Sequence, residues 1–131
     1  MAFEFPQKVL FKHCDPAGIV FYPRYFEMMN DCLEAFFEAQ LDMPWHLLHR
    51  AGAVPTAQIE TRFTAPSRHG DRLLLRLQVT RVGRSSFSYE MVATCDDEQR
   101  FVTTGTLVNV NETGRPAPWP EGPRTRLEAQ L

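Results

Sequence analysis

The sequence predicts an α+β domain in which one long helix packs against an antiparallel sheet of about five strands. Three observations predict it. A stretch opening at Pro23 carries Tyr25, Met28, Met29, Cys32, Leu33, Phe36 and Phe37 at helical spacing, which makes one wide apolar stripe. The second half of the chain holds four segments with alternating or β-branched and aromatic character. A sheet with one apolar face and a single amphipathic helix bury each other when the sheet wraps the helix.

Residues 3–14 contain the first strand, with Val9, Phe11 and His13 on one side and Lys8, Leu10 and Lys12 on the other. Pro23 suits the first helical position, where its missing N–H costs nothing. Arg24, Glu27, Asp31, Glu34 and Glu38 form the polar face of that helix, and the Met and Phe stripe is core packing. Residues 41–52 contain Pro44 and read as a short helical turn and loop. His46 and His49 in it have no acidic or thiol partner nearby in sequence and are loop residues. Strands are expected over 54–64, 71–82, 85–95 and 99–110. Leu73, Leu75, Leu77 and Val79 alternate in the second of these, and Phe87, Tyr89 and Met91 in the third. The separators are rich in turn residues: Ala-Pro-Ser-Arg-His-Gly-Asp at 65–71, Val-Gly-Arg at 82–84 and Asp-Asp-Glu at 96–98. Pro116, Pro118, Pro120 and Pro123 then break up regular structure. The expected organisation is a domain over residues 1–110 and a Pro-rich tail over 111–131, extended along a neighbouring subunit or mobile.

At 131 residues the chain is one domain with room for a hydrophobic core. A net charge of −2 gives no electrostatic case for nucleic acid, and the arginines at 72, 76 and 81 do not change that. No apolar run approaches the ~20 residues of a membrane span, and the N-terminus lacks the basic and apolar regions of a secretory signal. Cys14, Cys32 and Cys95 are an odd, scattered set, which argues against a disulfide framework and fits a reducing cytoplasm. No Cys-x-x-Cys or His-x-x-x-His pair occurs, so no metal site is expected.

The most informative run is 13–23, His-Cys-Asp-Pro-Ala-Gly-Ile-Val-Phe-Tyr-Pro. Its bland reading is an ordinary turn, because Asp, Pro and Gly are all turn residues. Its context adds more. It places one carboxylate, Asp15, at a strand-to-helix corner, followed by a glycine-containing loop and a helix N-terminus. Such a corner supplies a base or nucleophile together with backbone N–H donors for a developing oxyanion. Pro23 has no N–H, so the natural donor is the backbone of Tyr22. Gly18 permits a positive φ or a close backbone approach to substrate. His13 could orient the carboxylate or contact substrate, although an ordinary structural histidine is the favoured reading. Cys14 is a packing residue, since nothing specifies a low-pKa thiol there.

This run closely resembles the signature of the 4-hydroxybenzoyl-CoA thioesterase family, whose members adopt the hot-dog fold. The match is tight from Asp15 to Pro23, continues loosely through Tyr25 and Phe26, and elsewhere rests on element order and length. The resemblance implies that Asp15 is the catalytic carboxylate and that the Tyr22 N–H polarises the thioester carbonyl. A Tol-Pal-associated subgroup has a histidine where this chain has Pro23, which favours the aryl-type branch. A second class with a catalytic glutamate on the long helix lacks the Asp run, so Glu34 and Glu38 are not favoured.

The expected activity is hydrolysis of a coenzyme A thioester, with an aromatic, 4-hydroxybenzoyl-like acyl group and Asp15 as nucleophile or general base. Short- or medium-chain fatty acyl-CoA hydrolysis, or acyl-CoA binding without catalysis, is the alternative. A hot-dog dehydratase is disfavoured because His13 lacks the spacing for an acid–base pair with Asp15. No cofactor is expected beyond the coenzyme A of the substrate. Arg81, Arg84 and Ser85 lie at a predicted turn and suit the nucleotide phosphates; the resemblance implies the same, and a solvated basic hairpin is the competing reading. Arg68 and His69 are weaker candidates. The resemblance also implies a homodimer or homotetramer, with Gln58, Thr61 or Phe63 of one subunit facing Asp15 of another.

Overall fold

The computed structural model describes residues 2–131. The chain runs through β1 (Phe3–Lys8), a 3-10 turn (Phe11–His13), α1 (Tyr22–Leu41), α2 (Trp45–Leu48) and β2 (Gly52–Ala53). It continues through β3 (Thr56–Phe63), β4 (Arg72–Val82), β5 (Ser86–Cys95), β6 (Glu98–Val108), β7 (Val110–Asn111) and α3 (Glu121–Ala129). Five strands form one antiparallel sheet in the order β1-β4-β5-β6-β3, and β2 pairs with β7 apart from it.

α1 forms because its apolar residues recur three and four apart. Tyr25, Met28, Met29, Cys32, Leu33, Phe36, Phe37 and Leu41 are all buried. They meet Leu73, Leu75, Leu77 and Val79 of β4, Phe87, Tyr89, Met91 and Ala93 of β5, and Phe101 and Leu107 of β6. Asp42 ends the helix in the left-handed region at φ 54°, donating its N–H to Phe37 O, and Pro44 follows. Asp96 and Asp97 have φ of 49° and 68°, as a tight two-residue hairpin between β5 and β6 requires. Gly105 of β6 leaves room for the Tyr89 ring, since a Cβ there would lie 2.5 Å from Tyr89 Oη.

The sheet has two unlike edges. β1 alternates half-buried and exposed, and Phe3 packs edge-on against Phe36 at 5.6 Å between ring centroids. Pro6 is tolerated there because an edge strand can spare an N–H. β3 has exposed residues throughout except for half-buried Thr61. Its Ile59, Thr61 and Phe63 stand opposite the buried Gly105, Thr103 and Phe101, yet Ile59 and Phe63 stay exposed on the helix-facing side.

Three expectations are corrected. The first strand stops at Lys8, and the apparent alternation of Val9, Phe11 and His13 belongs to a 3-10 turn. Asp15 therefore follows a turn, and His13 does not share a strand face with it. The C-terminal segment is not extended throughout, because it contains α3. Pro120 caps that helix and Pro123 lies in its first turn, where a missing N–H is harmless. Trp119 and Leu127 join the main core, Trp119 donating its indole N–H to Ser86 O at 3.0 Å. Pro23 takes the second helical position, Tyr22 the first.

Candidate active site

The run 13–21 closes on itself as a miniature hairpin. Phe21 N–H donates to His13 O at 2.9 Å, Cys14 pairs with Val20, and Asp15 N–H donates to Ile19 O at 3.0 Å. Gly18 N–H closes a β-turn on Asp15 O at 2.9 Å, with Pro16 at its second position and Gly18 at φ 81°. Asp-Pro-Ala-Gly is thus a turn, as the bland reading has it, with Asp15 at its first position.

Asp15 is half-buried. Its Oδ1 accepts the Ala17 N–H at 2.9 Å, which fixes the side-chain direction. Among the described residues no cation pairs with the carboxylate, Lys12 included. One oxygen is thus anchored while the other has no protein donor among the described residues, the state a base or nucleophile needs.

His13 is buried, and its Nδ1 accepts the Leu10 N–H at 2.8 Å. In the neutral ring the proton then sits on Nε2. Burial, followed by the nearby Lys12, lowers its pKa below the usual 6.5. His13 holds the base of the loop through its ring and its carbonyl, and forms no hydrogen bond with Asp15.

Tyr22 is exposed and opens α1. At the first helical position its N–H has no intrahelical acceptor, and the dipole adds positive potential there. Pro23 removes the next donor, and Arg24 N–H is engaged by Phe21 O at 2.8 Å. Tyr22 is the donor left for a ligand in this turn.

Beside it lies a cavity of about 350 Å³ lined by Ile19, Val20, Tyr22, Tyr25, Phe63 and Thr64–Pro66. Three of its eight lining residues, Tyr22, Tyr25 and Phe63, are aromatic. Tyr25 stacks on Phe63 at 5.4 Å and 25°, and Tyr22 meets Phe63 edge-on at 6.3 Å.

Thr61 lies on β3 with its Oγ1 2.7 Å from Thr103 Oγ1 and does not line this cavity. Arg81, Arg84 and Ser85 sit at the β4–β5 turn, at the opposite end of β4 from the loop of Asp15. That strand has 11 residues, about 35 Å of chain at 3.3 Å per residue. Within one chain the structure does not bring these three residues to Asp15. Arg81 and Arg84 are exposed, whereas the turn's backbone is held from the C-terminal segment: Arg124 Nη1 donates to Gly83 O at 2.9 Å and Trp119 N–H to Arg84 O at 3.1 Å. Arg68 and His69 are exposed, and Arg68 pairs through its backbone with Ile19. Glu34 and Glu38 are exposed on the polar side of α1.

The sequence reading passed over Ser67, Asp71 and Arg100, which lie behind the loop. Arg100 is only 9% exposed and its Nη1 stands 2.7 Å from Asp71 Oδ2. The hydrogen bond from Arg100, helped by the Arg68 N–H, holds the Asp71 carboxyl below the usual range. A single arginine in a strand carries no signal of such a partner. Among the described residues no group of three or more acidic, thiol or imidazole side chains could hold a metal, and no helix is long and apolar enough to cross a membrane.

The family model of the thioesterase-like superfamily matches residues 9–127, nearly the whole chain. The protein belongs to the thioesterase-like superfamily. It is a thioester hydrolase with the hot-dog fold. Comparison with curated protein sequences finds no match. Among solved structures, a 1,4-dihydroxy-2-naphthoyl-CoA thioesterase from Synechocystis is 20% identical, with a TM-score of 0.88 over 97% of this chain and 96% of that one. A gentisyl-coenzyme A thioesterase is 24% identical, with a TM-score of 0.86 over 95% and 99%. A thioesterase from Thermus thermophilus, complexed with coenzyme A and zinc, is 29% identical, with a TM-score of 0.82 over 97% and 92%.

Proposed function

We propose that this thioesterase hydrolyses an aromatic acyl-CoA of the 4-hydroxybenzoyl type, with Asp15 as nucleophile or general base. The observation that carries the reading is a cavity with one aromatic wall, Tyr22, Tyr25 and Phe63, set beside the Asp15 loop and the start of α1. The thioester carbonyl oxygen accepts the Tyr22 N–H, which stabilises the charge that develops on it. The Asp15 carboxylate either takes a proton from the attacking water or attacks the carbonyl carbon to form a mixed anhydride that water then cleaves; in both cases the thiolate leaves without needing a strong acid. The acyl ring lies among Tyr22, Tyr25 and Phe63. The acyl groups named in the two aromatic thioesterase structures support this class.

The nucleotide end calls for a second copy. β3 is an edge strand left exposed on both faces, and two-fold pairing through it would cover that edge. Such pairing is antiparallel. It carries the partner's β4–β5 turn to the same end of the joined sheet as Asp15. Arg81, Arg84 and Ser85 then serve the nucleotide phosphates of the neighbouring site, and Thr61 lies at the shared seam. Assembly into a homodimer or a homotetramer and a cytoplasmic location belong to the same proposal. So does a catalytic cycle without a cofactor.

Thiol release from aroyl-, short-chain and long-chain acyl-CoAs tests the substrate class. The expected result is a kcat/KM for aroyl esters at least about tenfold above the others. Faster release from fatty acyl esters would replace the aromatic reading with the aliphatic one. Tight binding of every ester without release would make the protein a binding module.

A further inference from the structure

The loop that carries Asp15 takes its position from a second segment. Val20 N–H donates to Ser67 O at 2.9 Å, and Ile19 bridges to Arg68. Whatever fixes residues 64–71 therefore also fixes Asp15. That segment links β3 to β4 and has no ladder of its own. Its polar groups converge on Arg100 of β6. Arg100 Nη1 lies 2.7 Å from Asp71 Oδ2, 3.1 Å from Pro66 O and 3.2 Å from Ser67 Oγ. Asp71 Oδ2 also accepts the Arg68 N–H at 2.9 Å. The Arg100 carbonyl accepts the N–H groups of Thr64 and Ala65 at 2.9 and 3.3 Å. Glu98 Oε1 stands 2.9 Å from Arg100 Nε. Ser67 is wholly buried.

We propose that Arg100, clamped to Asp71, is a positioning residue that sets the place of the Asp15 turn, and with it the carboxylate, through Ser67 and Val20. The proposal rests on the reading of Asp15 as the catalytic carboxylate. Arg100 lines neither the cavity nor the Asp15 turn, so it acts only through others. Thr64 and Ala65, in the wall of the cavity, are held by the Arg100 carbonyl, which a side-chain substitution leaves in place. A largely buried ion pair adds little net stability over apolar packing, so its contribution here is geometric. Displacing a reacting group by about 1 Å can cost about 100-fold in rate.

The test is a double-mutant cycle on Asp15→Asn and Arg100→Gln, read as kcat and KM with the fastest ester of the panel. Arg100→Gln is expected to lower kcat about 30-fold with KM within about twofold. In the Asp15→Asn background it should change the residual turnover less than about twofold, because no carboxylate remains to be positioned. Hydrogen exchange at the Val20 amide should accelerate while the β5 amides stay protected. If Arg100→Gln does not fold, Asp71→Asn removes the clamp with an isosteric side chain and should give the same pattern. An inactive Asp15→Asn beside a fully active Arg100→Gln would overturn the clamp alone. Equal losses from Arg100→Gln in both backgrounds would reduce Arg100 to a structural staple. Full activity of Asp15→Asn would overturn the reading of Asp15 itself, whatever Arg100 does.

Discussion

At the end of the sheet where β4 begins, the Asp15 loop is bound to its own chain by its hairpin bonds, by Ser67 and by the start of α1. At the end where β4 finishes, the β4–β5 turn is bound through its backbone, by Asn109, Trp119 and Arg124, while Arg81 and Arg84 stay exposed. The first end is a finished geometry: an anchored carboxylate, an open N–H and a cavity with one aromatic wall. The second is a steady platform whose cations have no ligand group within reach in the same chain. On the proposed function, chemistry is local to one chain at the first end, whereas the second end serves the site of a neighbour.

If that contrast is right, damage at the two ends has different symptoms. Asp15→Asn should lower thiol release about 1,000-fold, within the range expected for a general acid–base group, with the melting temperature little changed. A variant as active as the wild type would move the chemistry away from this end. Leu127→Ala opens a hole under α3, where Leu127 is fully buried. It should cost about 3 kcal/mol in denaturant unfolding and leave kcat at 25 °C within about twofold. A loss of kcat without a loss of stability would show that the platform has a catalytic part.

Acid should have the smallest effect. The Asp71 carboxyl is held below its usual range in the folded protein, so its contribution is complete above the unfolded value of 3.8. That contribution is lost as pH falls through the folded value. His13 is likewise lowered from 6.5, so its contribution is complete above pH 6.5 and declines as the unfolded chain takes up a proton first. Lys12 and Arg24 oppose protonation of the ring, and Glu27 and Asp31 favour it. Unfolding midpoints measured from pH 8 to pH 4 should therefore begin to drop below about 6.5. A flat wild-type profile, or a drop near 6.5 that persists in His13→Gln, would contradict this account of the loop base.

Sequence legibility divides along similar lines. α1 and the four later strands were readable because each has a periodic apolar face, as Met28, Phe36 and Leu75 show. The turn at Asp15 and the positive φ at Gly18 are legible because each demands particular residue types, and Pro23 marks the helix start to within one residue. The end of β1 was misread because Val9, Phe11 and His13 alternate like a strand while curling into a 3-10 turn. The tail was misread because four prolines look like a broken segment, yet each lies before α3 or in its first turn. The bareness of β3 was hidden as well. Ile59, Thr61 and Phe63 alternate like covered residues, yet Ile59 and Phe63 stay about two-fifths exposed although Phe63 packs on Tyr25 of α1. Arg100 and Asp71 stand 29 residues apart, and no local pattern joins them.

Subunit complementation tests most directly whether each site takes its carboxylate from one chain and its nucleotide cations from another. Asp15→Asn chains would be unfolded and refolded together with Arg81→Ala/Arg84→Ala chains, then assayed at low acyl-CoA. If sites are shared, half of the mixed dimers' sites carry no substitution, and random pairing should restore about a quarter of wild-type turnover. If each site is built within one chain, every site in the mixture keeps a defect, and activity would not rise above the average of the two parents.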